Sequence, residues 1–391
     1  MSNAEDEEKK IAEDFRRQLQ ERFPAYEGDR GKDDVAKWVR DNSAKLEEFI
    51  STLGPNPAKE LLEEVRVELE NTPLPNPRDE PFTHRIVQEL CNEVESACRE
   101  TGVPLRGGIA YGVSPTFAVN AEQHPVPTTE TSTIELSAGF ISFCSHLSKV
   151  MSLSLSHEFV EGSVEVTYSS EEILKKIGSD ADLKRLWLGL FGAYAYGGGP
   201  LDVELRIIPH PQSLTRVLLL RAFEQFAVAH EYAHHVATHG LRYSVGVGGD
   251  PESAGEEIEA DMFAIGLCRY MESGKEQPNT FLVSGAAPVM LLKCLEYVRR
   301  TKRIFSGKEA SQEPSNTHPE TEERVLAFDY YVDGTPPRVA SAFRQMRRDF
   351  CLIIESVWAK LRPLYIRMYD DGFRIEDSPV AWLPESTSKR I

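Results

Sequence analysis

The sequence predicts an α+β fold: a mainly helical body with a small mixed β-sheet, preceded by an N-terminal helical bundle. Three observations carry this. Apolar residues recur at helical spacing over most of the chain, and the stretch from Gly108 to Glu135 changes to the two-residue alternation of strands. Thr72-Pro-Leu-Pro-Asn-Pro77, with three prolines in six residues, cannot continue a helix and sets the first helices apart. The 391 residues, 41% of them hydrophobic, suffice for two or three domains and one sizeable core. The expected division is an N-terminal helical domain over 1–76, a main domain over 77–335 with an insertion at about 155–210, and a long helix with a tail over 336–391.

Residues from about 5 to 72 read as three helices. In the second, Val35, Trp38, Val39, Leu46, Phe49, Ile50 and Leu53 follow Asp33 and Asp34, and Gly54-Pro55 ends it. The third opens on Asn56-Pro57 and carries Leu61, Leu62, Val65 and Leu69 along one side. The charged exterior of this bundle reads first as a solvated face, though it could also recruit a partner. A helix follows over 83–99. Ile109 and Tyr111, then Phe117 and Val119, alternate as strand residues, Thr131–Ser137 is a second strand, and Ala138–Met151 returns to helix. Val164, Val166 and Tyr168 alternate again, as do Leu201, Val203, Leu205 and Ile207, with a helix over Glu171–Tyr194 and a Gly197-Gly-Gly-Pro200 loop between them. The rest reads as helices at about 213–239, 255–273, 285–301, 320–331 and 336–369, and then a polar tail.

Composition excludes several classes. Sixty-two acidic residues against 44 basic leave a net charge of −18, which repels phosphate backbones and argues against nucleic acid as a partner. No apolar run approaches the ~20 residues of a membrane helix, so no membrane span is expected. The opening Met1-Ser-Asn-Ala-Glu-Asp-Glu-Glu is acidic where a secretion signal would be basic and then apolar. The six cysteines form no CxxC pair and read as free, mostly buried thiols, in keeping with a reducing cytoplasm.

The chemistry is concentrated in Phe226-Ala-Val-Ala-His230-Glu231-Tyr232-Ala233-His234-His235, which contains HExxH. On a helix, residues four apart lie one turn above one another, so His230 and His234 can offer ring nitrogens to one metal ion. Glu231 projects beside them, where it can take a proton from an activated water. Leu219, Phe223, Phe226, His230, His234 and Ala237 form one stripe at helical spacing, which continues the core-facing side, and Gly240 supplies a helix stop. His235 lies about 100° round the helix from His234 and cannot share its metal. A zinc ion with an open position needs a third protein ligand. Downstream, Glu257 and Asp261 are four apart, so one can bind the metal while the other accepts the spare N–H of a ligand histidine. Further on, His318 precedes Pro319 at a helix start, where a loop histidine can donate to a developing oxyanion.

These three blocks, His230-Glu-Tyr-Ala-His234-His-Val-Ala-Thr-His239, Glu257-x-x-Ala-Asp261 and Thr317-His318-Pro319-x-x-x-x-Arg324, resemble in order the motifs of the HtpX and CAAX-prenyl-protease family of zinc endopeptidases. Phe117-Ala-Val-Asn120-Ala121 and Ile134–Phe140 resemble that family's asparagine-containing edge strand and the turn after it. The resemblance spans about residues 83–331. It implies a zincin-like core of the gluzincin type, with one Zn2+ per chain held by His230, His234 and Glu257, and Glu231 as general base. It further implies His318 on the oxyanion, Asp261 and Arg324 in support, His239 as a structural residue and Asn120 on the substrate-binding edge. The 22 residues between His234 and Glu257 are fewer than that family carries and are similar to the spacing of thermolysin and of the ImmA/IrrE-type cytoplasmic peptidases. The expected function is therefore a zinc-dependent endopeptidase that hydrolyses peptide bonds in a protein substrate, with the peptide extended along the edge near residues 116–121. Residues 303–315 form either a flap over the cleft or a plain connection. The alternative is a non-enzymatic interaction protein with a vestigial or structural metal site. A further possibility is a gated protease with one target, recruited through the N-terminal bundle.

Overall fold

The structure, a computed structural model, describes residues 3–22, 81–160, 163–196, 210–237, 254–308, 321–330 and 335–375, with isolated positions at 37, 41, 43, 44, 67, 74, 76, 79 and 208. The second and third N-terminal helices, the strand expected over 201–207, His239, Gly240, His318 and the polar tail from 376 lie outside the described residues. The chain is mostly helical with a small mixed sheet. In order the elements are α1 (Asn3–Arg22), α2 (Pro81–Glu100), β1 (Ile109–Ser114), β2 (Ala121–Pro125), β3 (Ser132–Ser137) and α3 (Ala138–Ser154). A hairpin follows, β4 (Ser156–Val160) and β5 (Ser163–Thr167), then α4 (Ser170–Ser179) and α5 (Ala181–Tyr196). The remainder is helical: α6 (His210–Val236), α7 (Ala254–Ser273), α8 (Thr280–Val283), α9 (Ala286–Phe305), α10 (Thr321–Tyr330) and α11 (Pro337–Asp370).

The three-stranded sheet runs β1-β3-β2, with β3 parallel to β1 and antiparallel to β2. Residues opposite one another share a face, so Tyr111, Ile134 and Gln123 look toward the core, and Gly112, Glu135 and Glu122 look outward. The small residues Ala110 and Gly112 let α1 lie close on that outer face. The Arg16 guanidinium occupies the space a Cβ at Gly112 would fill and forks to Glu135 and, at 2.6 Å, to Asp79. The first helix of the N-terminal segment is thus seated on the sheet by a buried ion pair and is not detached from it.

Phe117 and Val119 are not strand residues; the edge strand starts at Ala121. The backbone of residues 116–120 is committed to the start of α3. Thr116 O accepts from Gly139 N at 3.0 Å, Asn120 O accepts from Ser137 N at 2.9 Å, and Ala118 O accepts from the Ser137 hydroxyl. A side chain at Gly139 would collide with the Phe117 carbonyl, so only glycine admits this crossing. Ser137 also caps α3, accepting from Phe140 N at 2.9 Å. The single helix expected over 171–194 is two, because Asp180 takes extended backbone and its carboxylate accepts from Leu183 N at 2.9 Å to start α5. Strand β4 and helix α8 gave no periodic signal, being five and four residues long.

The segment expected as an insertion contributes to the core. Trp187 and Phe191 of α5 are fully buried, and Phe191 meets both Tyr297 of α9 and Trp358 of α11 edge-on. Tyr297 and Trp358 stack with centroids 4.8 Å apart. Helix α6 lies at the centre, packed by α7, α3, α2, α8, α9 and β2. Ala222, Phe223, Phe226, Val228 and Ala229 are all buried, on every side of the helix, as a surrounded helix requires. All six cysteines are free, five of them buried. Among the described residues, no helix is long and apolar enough to cross a membrane.

Candidate metal centre

His230 and His234 stand one turn apart near the C-terminal end of α6, their ring centroids 4.7 Å apart and edge-on. The helix is held firmly at this end. Tyr232 Oη donates to Glu95 on α2 at 3.0 Å, and Arg106 donates to the His235 carbonyl, one of the last that α6 leaves unpaired. Phe226, one turn before His230, lies 6.1 Å from its ring and 6.1 Å from Phe328 of α10. The apolar stripe leads into the site, as the spacing predicts.

Helix α7 supplies the carboxylates. Glu256 and Glu257 fall in its first turn, where the positive helix end favours acids. The two acids left open by spacing now separate. Glu257 Oε1 is 3.4 Å from His234 Nε2 and Glu257 Oε2 is 3.5 Å from His230 Nε2, while the two Nε2 atoms are 3.0 Å apart. Asp261, fully buried one turn on, places Oδ1 3.0 Å from His230 Nδ1. So the side chain facing both Nε2 atoms is Glu257, and Asp261 lies against the Nδ1 side of His230. Arg324 of α10 reaches both acids: its Nε and Nη2 donate to Asp261 at 2.6 and 2.7 Å, and its Nη1 lies 3.0 Å from Glu257 Oε2.

The electrostatics follow from burial and these partners. Burial opposes charge on His230, but the Asp261 and Glu257 carboxylates reverse this and raise its pKa to about 10. Burial would raise Asp261, yet Arg324 and His230 hold it below the ordinary carboxylate range. Glu231 is pushed above that range by burial, with His230 and His234 opposing and Glu257 and Glu122 adding to the rise. A carboxyl raised in this way is a better proton acceptor than a solvated one.

His230, His234 and Glu257 each offer one ligand atom, all within 4.8 Å of one another, and so could hold a metal ion. The donor set fits. Ligands about 2.0–2.1 Å from a tetrahedral ion stand ~3.3 Å apart, and the three separations here are 3.0, 3.4 and 3.5 Å. Asn120 does not join this cluster: it is exposed just before β2, and its amide donates to the Glu122 carboxylate, which His124 Nε2 approaches at 3.0 Å. Glu122 itself, close enough to Glu231 to affect it, carried no motif by which sequence could single it out.

Two other histidines are structural. His235 turns away from the site, with Nε2 donating to Leu105 O at 2.7 Å and Nδ1 2.8 Å from Ser132 Oγ. His146 Nδ1 lies 2.7 Å from Tyr194 Oη, tying α3 to α5. Burial, aided by Lys149 and Arg216, lowers His146 from 6.5 to about 4. Above pH 6.5 this ring is neutral folded or unfolded. Between 6.5 and 4 only the unfolded chain takes the proton, so stability falls with pH by up to ~1.4 kcal/mol per unit. The expected result is that His146→Gln flattens the decline of the urea midpoint between pH 6.5 and 4. An unchanged slope would assign that decline to other groups.

Comparison with protein-family models, curated proteins and solved structures finds no match to this chain.

Proposed function

We propose that this chain is a zinc-dependent endopeptidase, built on a zincin-like core and binding one Zn2+ through His230, His234 and Glu257. The observation that carries the reading is the convergence of those three side chains at 3.0–3.5 Å, with Glu231 beside them. When bound, the ion supplies Lewis acidity, polarising a peptide carbonyl and bringing a water's pKa from 15.7 toward ~7. The side chains then divide the work. Asp261 keeps the proton of His230 on Nδ1 and leaves Nε2 free as a donor atom. Arg324 helps hold Asp261 below the ordinary carboxylate range and fixes the direction of both Asp261 and Glu257. Glu231 accepts the proton of the attacking water at its carboxylate and returns it to the leaving amine. His318, which lies outside the described residues, would donate to the oxyanion. The edge strand β2 packs on α6, so an extended peptide can pair with its backbone and pass the site, which selects conformation more than sequence.

The resemblance to the HtpX and CAAX-prenyl-protease motifs supports the same reading. A closed structural metal site would take a fourth protein ligand. Among the described residues the grouping has three members, which favours hydrolysis over the interaction-protein alternative. The test is metal content and cleavage together. The wild type is expected to purify with about one zinc per chain and to release peptides from casein or from a cell lysate, and His230→Ala is expected to lose both. Full zinc in His230→Ala would refute the ligand assignment.

A further inference from the structure

One buried cation near the site takes no part in it. Lys293 sits on α9 within Val289-Met290-Leu291-Leu292-Lys293-Cys294, all buried, and its side chain is 3% exposed. Its Nζ lies 2.9 Å from Glu322 on α10 and 2.9 Å from Glu355 on α11. A methionine would span the same length of core without the cost of burying an ammonium, so packing alone does not account for a lysine.

The geometry of α10 shows what the ammonium holds. At about 100° per residue, Glu322 and Asp329 share one face of that helix; Arg324 lies nearly opposite, about 150° round, and Thr321 and Phe328 fall between, about 100° from the first face. The first face is fastened twice: Lys293 grips Glu322, and Arg347 of α11 grips Asp329 at 2.6 Å while donating to Ser284 O at 2.6 Å. The far side presents Arg324 to Asp261 and Glu257, and Phe328, on the flank beside it, meets Phe226. Helix α10 is therefore clamped between the body of the protein and the metal centre. Three Arg324 contacts at 2.6–3.0 Å tolerate little displacement before a fork becomes a single weak bond.

We infer that Lys293 is a positioning residue for the metal centre: by holding Glu322, it sets where α10 delivers the Arg324 guanidinium to Glu257 and Asp261. The inference rests on the metal-site reading above. Glu355 provides an internal control, because it binds the same ammonium but belongs to α11, which carries no residue of the centre. Both carboxylates are about half exposed, so an amide at either position leaves the fold intact.

The experiment measures Zn2+ affinity by chelator competition, the absorption spectrum of the Co2+-loaded protein and the melting midpoint, all on the full chain. Lys293→Met and Glu322→Gln are expected to weaken Zn2+ binding about tenfold and to alter the Co2+ bands. Glu355→Gln is expected to lower the melting midpoint as much as Glu322→Gln, yet leave Zn2+ affinity within about twofold of wild type. Lys293→Arg, which keeps a cation at the same place, is expected to recover most of the affinity. Unmoved affinity in Glu322→Gln, or an equal loss in Glu355→Gln, overturns the positioning role. A wild type that takes up no zinc overturns the metal-centre reading and this inference with it, so the two failures are told apart in one series.

Discussion

Glu231→Gln is expected to retain about one zinc per chain while losing peptide hydrolysis by a factor of roughly 10²–10⁴. Glutamine keeps the length and planar end of the side chain, so the packing around this buried position is preserved. What it loses is basicity: an amide cannot accept the proton of the attacking water or hand it to the leaving amine. The environment adds to that loss, since burial holds the carboxyl above the ordinary carboxylate range and so makes it a better proton acceptor than a solvated one. His230, His234 and Glu257 are untouched, so metal uptake is unaffected. The measurement is zinc content by atomic absorption beside the rate of release of new peptide termini. Retained hydrolysis in a zinc-loaded Glu231→Gln would remove Glu231 from the mechanism.

Arg324→Met is expected to have the largest effect on stability in the metal-free protein. It leaves Asp261, fully buried, with His230 as its remaining charged partner, and it leaves Glu257 without its guanidinium. Breaking a buried pair on one side costs about 3–5 kcal/mol, because the abandoned charge stays out of water. Zinc affinity is expected to fall 10–100-fold as well, since the group orienting both carboxylates is gone. Added zinc restores part of the stability by mass action, so the difference between variants narrows as free zinc rises. Urea unfolding with and without chelator reads both terms. A metal-free variant within about 1 kcal/mol of wild type would mean that water already reaches Asp261.

Much of the site could be read from the chain because its parts are local. His230, Glu231 and His234 occupy one helical turn, and Glu257 and Asp261 occupy another, so the 3.6-residue period alone places each set on a common face. The period could not say which acid meets which nitrogen. That choice depends on the height of α7 beside α6 and appears only as distances: 3.4 and 3.5 Å for Glu257, 3.0 Å for Asp261. The edge strand was misplaced for a related reason. Phe117 and Val119 alternate correctly, but their backbone is drawn away by the start of α3, twenty residues later in the chain.

The sequence by itself determined the composition class, most helix positions, the free cysteines and the residue types at the candidate metal centre. These follow from periodicity, capping and motif spacing, which act over a few residues. Tertiary structure alone decided that α1 is pinned to the sheet through Arg16, that α5 (Ala181–Tyr196) builds part of the core, and that Lys293 and Arg347 brace the helix carrying Arg324. Each of these joins residues far apart in the chain, by contacts whose strength depends on burial and distance. A lysine in an apolar run carries no sign of its partner until the helix bearing that partner is packed against it.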